Sequence, residues 1–200
     1  MGKIRSAWEI ALEKTENMEI DQDKIRHSQD VDKIRRIAGQ YITAEEAEAD
    51  EAKLADALSA FDPALLREAL ESTVLNSLSL PQDEEVFLTK TKRISTLISI
   101  AFPSEDLLSF YGQVTEQLSQ YPAHREDLLK RLKEQLEPML KQKEEAMRQK
   151  YGESVHLTVE NDKECMETVK NYLERLNKQY DDTLVNAKAT LKELLSQVRG

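Results

Sequence analysis

The sequence predicts an all-α protein: a helical bundle over residues 1–121, followed by a long antiparallel coiled-coil hairpin over 122–200 with a short extended or strand-like connection near 153–160. Three observations carry this expectation. The 200 residues include only 5 glycines and 5 prolines, with 33% charged and 40% hydrophobic, a mixture suited to helices with one apolar face. The prolines, at 63, 81, 103, 122 and 138, lie 16 to 22 residues apart, the length of one helix and its turn. The C-terminal segment repeats apolar residues at alternating intervals of three and four, the signature of a narrow helical seam.

Taken in order, the spacing predicts helices near 4–16, 22–42, 44–60, 63–79, 83–101, 105–120, 123–150 and 162–198. Their starts have recognisable chemistry. In Phe61-Asp62-Pro63, Asp62 can cap, Pro63 can open the first turn, and Phe61 can pack on Leu66 as a staple. Thr43 through Glu46 fits a capping box, Ser104-Glu105-Asp106 puts acids in a first turn, and Asn161-Asp162 opens the last helix. An aromatic, proline, acid, Leu-Leu pattern recurs after Phe61, Phe102 and Tyr121 and is similar to the period of stacked helical-hairpin repeats. Caps and staples produce the same residues at any helix start, and that account needs no repeat.

The last helix is the best determined. Met166, Val169, Leu173, Leu176, Tyr180, Leu184, Ala187, Leu191, Leu194 and Val198 form its seam. Leu129, Leu132, Leu136, Met139, Lys143 and Ala146 follow the same rhythm upstream, and the two segments are expected to pair. The seam can pair within one chain or between two, the second giving a homodimer. An antiparallel pair would form a rod on the order of 40 Å long, which Pro138 should kink. Between the two segments, Gly152 suits a helix C-terminus, while Val155, Leu157 and Val159 alternate with polar residues as in a strand. A lone strand needs a partner, so an extended loop packing its apolar residues on the helices is the favoured reading.

Charge is divided unevenly. Residues 1–121 hold 13 basic and 23 acidic residues, net −10, and residues 122–200 hold 15 of each. This balance argues against nucleic acid as a partner, since phosphate recognition needs a dense cationic face. The longest strongly apolar run, Ile94–Phe102, is 9 residues, about half of the roughly 18–20 required to span a bilayer. No membrane span is expected. Glu9 and Glu13 break the apolar run a secretory signal requires, and the single cysteine, Cys165, cannot form an internal disulfide, so a cytoplasmic location is expected.

Candidate chemistry is thin. Glu153 and His156 have Glu-x-x-His spacing, but they follow Gly152 in a strand-like stretch that turns them to opposite sides. Most of the paired acids fall at expected helix starts, where they complement the dipole. His124 reads as a surface residue, Cys165 as a small apolar one beside Glu164 and Glu167, and Lys90, Lys92 and Arg93 as a basic group able to touch an acidic partner. No catalytic residue, metal ligand or cofactor-binding residue is assigned, and no cofactor is expected. The candidate partner-binding residues are Ile4, Trp8 and Leu12, whose i, i+4, i+8 spacing lays one apolar stripe along a short N-terminal helix. Docking of that helix back onto the bundle is the competing reading.

The opening block, Gly2-Lys3-Ile4-Arg5-Ser6-Ala7-Trp8-Glu9-Ile10-Ala11-Leu12-Glu13-Lys14-Thr15, resembles the start of a bacterial family of uncharacterised helical proteins, a domain of unknown function. The resemblance implies no activity and no site residues. The expected function is that of a non-enzymatic protein–protein interaction or assembly module. The alternative is a helical enzyme or sensor holding a metal or small ligand between helices of residues 1–121, which would draw on His27 and acids distant in sequence.

Overall fold

The computed structural model describes residues 7–152 and 156–198, and these form an all-α protein. In chain order the helices are α1 (Ala7–Thr43), α2 (Glu51–Ser59), α3 (Pro63–Ser77), α4 (Glu84–Ala101), α5 (Glu105–Ser119), α6 (Tyr121–Tyr151) and α7 (Lys163–Gln197), with one 3-10 turn at Glu46–Glu48.

Most helix starts form by the local chemistry expected of them. Asp62 accepts the Ala64 amide at 2.8 Å with Pro63 in the first turn, and Ser104 accepts that of Leu107 at 3.3 Å. Asp83 accepts the Val86 amide at 2.8 Å, and Asp162 that of Cys165 at 2.9 Å. Each satisfies a donor with no partner inside its own helix. Gly152 ends α6 in the left-handed region, φ 71°, which a side chain would strain.

Two expectations need correction. The separate helices near 4–16 and 22–42 are one helix from Ala7 to Thr43, because no proline or glycine interrupts residues 7–38 and the polar stretch around Asn17 lacks a residue that terminates a helix. Nor does Thr43 open a helix. It closes α1, its hydroxyl donating back to the Gly39 carbonyl at 2.9 Å, and Asp50 instead caps the shorter α2 by accepting the amides of Ala52 and Lys53.

The main core is built from α1 to α5 and the C-terminal part of α7. Val31, Ile34, Ala38 and Tyr41 of α1 meet Leu66, Leu70 and Val74 of α3, Ile94, Leu97 and Ile98 of α4, and Leu107, Tyr111 and Leu118 of α5. Ala187, Leu191 and Leu195 bring α7 into the same core. At its centre the buried Tyr111 hydroxyl lies 2.8 Å from Ser77 Oγ, which itself donates to the Val74 carbonyl at 2.6 Å. Burial pushes the Tyr111 phenol up, holding it neutral. Helix α6 stands outside this core. Its Leu136 and Leu140 form a second, smaller cluster with Cys165, against which Met139, Leu157, Val159 and Val169 pack.

Arg93 of α4 explains where α1 stops. Only 9% exposed, it donates through Nη1 to the carbonyls of Ile42 at 2.8 Å, Ala44 at 2.6 Å and Tyr41 at 3.4 Å. These carbonyls lie at the negative end of α1, so a cation there offsets both the dipole and the missing hydrogen bonds. Its neighbours Lys90 and Lys92 are exposed, and Arg93 therefore does not join them as a surface cation.

Candidate interaction surface

Side chains of α6 and of α7 with its preceding loop meet at two places. Near the body, the Tyr121 hydroxyl donates to Asn177 at 2.7 Å, its ring meets that of Tyr180 edge-on at 5.1 Å, and His124 Nδ1 lies 2.6 Å from the Tyr180 hydroxyl. At the far end, Lys143 donates to both carboxylate oxygens of Asp162 at 2.9 Å and to Glu164 at 2.9 Å. The Leu157 amide donates to Glu144 at 2.6 Å, and the Asn161 side chain closes a turn by accepting the Thr158 amide and donating to the His156 carbonyl. Among the described residues of this connection there is no strand; residues 156–162 form a loop whose Leu157 and Val159 pack on the helices, while Val155 lies outside the described residues.

Asp162 both caps α7 and receives Lys143. The Lys143 ammonium and the Cys165 amide hold its carboxyl down at about 2, and the same contacts with Asp162 and Glu164 hold Lys143 protonated far above its ordinary range. A carboxyl depressed from 3.8 to about 2 contributes stability above the upper value and loses it as pH falls through the lower. Acidification from pH 4 to pH 2 is therefore expected to loosen the 156–165 segment; a fall in the protection of the Cys165 amide, its exchange taken relative to an unstructured peptide at the same pH, checks it, and unchanged protection would contradict it.

Between the two helices lies an open, mostly apolar groove of about 700 Å³. Leu129 forms one wall, Met166, Val169 and Leu173 the other, and Val159 closes the loop end. Lys133, Glu160, Lys170 and Glu174 edge it with two charges of each sign. Met166 on its α7 wall is 46% exposed, and Met147 and Tyr151, at 38% and 64%, are exposed further along α6, past the groove's lining residues. A two-helix unit cannot cover both sides of its seam, so part of the apolar surface predicted to be buried stays open.

The residues proposed from sequence are scattered. Trp8 is 73% exposed on α1; Ile4 and the Leu12 side chain lie outside the described residues. His27 Nε2 meets Glu68 at 3.2 Å, a pairing across 41 residues, but both side chains are 53% exposed. His156 meets Glu144 at 3.2 Å, and Glu153 lies outside the described residues. Among the described residues no three His, Cys, Asp or Glu side chains converge to hold a metal. Burial raises the Cys165 thiol, so it is a packed apolar group in the second cluster. Leu129, Met166, Val169 and Leu173 of the groove stood in the two seams.

The model of a family of unknown function, DUF6657, matches residues 51–193. The chain belongs to this family. The match takes in α2 to α6 and nearly all of α7, and so includes the groove, while the N-terminal block that resembles a domain of unknown function lies before it. No curated protein and no solved structure matches the chain. Among the described residues, no helix is long and apolar enough to cross a membrane.

Proposed function

We propose that this is a non-enzymatic interaction or assembly module: a helical bundle that carries a two-helix, coiled-coil-like rod, with the last part of α7 anchored in the bundle. The observation that carries the reading is the open apolar groove of α6 and α7, with Met166 of its wall 46% exposed. Clustered exposed apolar side chains rimmed by charge are costly in water unless another surface covers them. Trp8, 73% exposed, offers a second contact, with Ile4 and Leu12 on its stripe. A cytoplasmic setting, where a lone thiol stays reduced, belongs to the same reading.

Affinity purification at native expression level with crosslinking tests it. The intact chain should recover a stoichiometric protein partner crosslinked to α6, α7 or the start of α1. Met166→Lys or Trp8→Ala should reduce that recovery about tenfold or more, the effect of losing a central apolar anchor, with the helical circular dichroism unchanged. Recovery of no partner by the intact chain, or equal recovery by all three, would sink the reading.

The ligand-binding alternative is favoured by one feature of the bundle: hollows of about 540 and 440 Å³ flank Arg93 between the end of α1 and α4. Non-denaturing mass spectrometry of untagged protein decides it, since a bound small molecule or metal adds a discrete mass to the 23.0 kDa chain.

A further inference from the structure

We infer that the hollows beside Arg93 form a binding site on the bundle for a small oxyanion, the carboxylate or phosphate group of an organic ligand. The site shares no lining residue with the groove of α6 and α7, so the inference goes beyond the interaction-module reading and does not depend on it.

Its first support is a buried charge that the protein answers only in part. Arg93 is 9% exposed, and no carboxylate of the described residues forms an ion pair with it. Charges this deeply buried are ordinarily paired. The carbonyls at the end of α1 supply only about half an elementary charge, and they engage Nη1 alone. The remaining donors of the guanidinium, on Nε and Nη2, meet no acceptor among the described residues. No fully enclosed side-chain nitrogen of those residues lacks a partner, so Nε and Nη2 open into the space beside them. A guanidinium fork of this kind matches the paired oxygens of a carboxylate or a phosphate.

What surrounds those donors is the second support. Thr89 and Arg93 line both hollows, with Lys90 in the wall of the larger, about 540 Å³, and Lys92 in that of the smaller, about 440 Å³. Lys90 lies three residues before Arg93, and Thr89 three and four before Lys92 and Arg93, so all four share neighbouring faces of α4. Among the described residues neither lysine has an ion pair or a hydrogen bond, nor does the Thr89 hydroxyl. Residues 1–121 nevertheless hold 23 acids against 13 bases. The acids that line the hollows are Glu85 and Glu51; neither pairs with a cation there, and Glu51 accepts the Thr96 hydroxyl at 3.3 Å instead. Each hollow is thus lined by two cations and one carboxylate, a local surplus of positive charge in the acidic part of the chain. Both volumes fall in the range of about 300–1,000 Å³ usual for small-molecule sites. Ile42, Ala44 and the exposed Val86 give the larger hollow apolar wall for an organic body behind the anionic head. A nucleic acid would need a longer cationic face than three residues of one helix provide.

Arg93 also holds the end of α1, so the test places its changes at the neighbours. The nitrogen-labelled full chain is titrated with sodium phosphate and, separately, with sodium butyrate, with chloride keeping the ionic strength constant. The Arg93 Nε–H resonance and the amides of Ala44 and Thr89 should shift to saturation, with a dissociation constant of about 1 mM or below for at least one of the two anions. Saturation by butyrate alone assigns a carboxylate ligand, and by phosphate alone a phosphorylated one. Lys90→Glu combined with Lys92→Glu, both at exposed positions, should raise that constant about tenfold or more, because like charges then face the anion. Should the double variant lose helix, Thr89→Val, which removes only the hydroxyl donor, should raise it about threefold. Lys130→Glu, at an exposed position on α6, should bind like the parent. No saturable shift with either anion, the same shift from chloride alone, or binding that survives the changes at residues 89, 90 and 92 would overturn the inference and leave the reading of the rod untouched.

Discussion

Leu191→Ala is expected to lower the stability of the chain by about 2–5 kcal/mol, the range for emptying a buried leucine site. Leu191 is fully buried, and its cluster draws on α1, α2, α3, α4, α5 and α7. The loss should lower the melting midpoint by roughly 5–15 °C, at about 2–4 °C per kcal/mol for a chain of this size. The matched change Leu173→Ala falls on the same helix where it lines the open groove, and should cost about 1 kcal/mol or less because the side chain is only partly removed from water. The contrast tests whether the two ends of α7 live in different environments. Thermal unfolding of both variants settles it: equal shifts would mean that the rod face is buried in solution, by another surface or another copy, to the same degree as the core.

That contrast also marks how far the sequence could be read. The seam from Met166 to Val198 is regular, and regularity gave the helix and its apolar strip. It could not say that Ala187, Leu191 and Leu195 enter the bundle while Met166 and Leu173 line a groove, because both stretches have the same period and differ only in what lies opposite. Capping was legible where one local acceptor had no rival, as at Asp62, Ser104 and Asp162. At Thr43 the local signal failed, since the hydroxyl can turn either forward to cap or back to Gly39, and tertiary contacts select the second. The stretch around Asn17 misled in the opposite sense: polar residues look like a linker, but with no glycine or proline they continue a helix. The exposed Met147 and Tyr151 were illegible for a third cause: they lie beyond the α6 residues that pack with α7, where the pairing of the two seams has no counterpart.

The contact that overrules Thr43 is itself a prediction of large effect. Arg93→Met keeps much of the buried stem but removes the donors to the Ile42, Ala44 and Tyr41 carbonyls, between 49 and 52 residues away in sequence. Carbonyls at a helix end that lose a buried cationic donor cost about 1–3 kcal/mol each when water cannot replace it, and the lost dipole interaction adds up to about 2. The groups beside Arg93 are only partly buried, so water recovers some of this, and the expected net loss is about 2–4 kcal/mol. Arg93→Lys should fall between the parent and the methionine variant: an ammonium keeps the charge, but on a different stem and as a compact, strongly hydrated group it does not reproduce the place of Nη1 among the three carbonyls. Urea midpoints rank the three proteins, and faster amide exchange in the last turn of α1 locates the damage. A methionine variant within about 0.5 kcal/mol of the parent, the ordinary spread for surface changes, would show that the turn after Thr43 is held by the Glu46–Glu48 segment and the Asp50 cap instead. The lysine variant separates charge from geometry: parent-like stability would mean that a positive charge near the end of α1 suffices, and methionine-like stability that the directed hydrogen bonds are what stop the helix there.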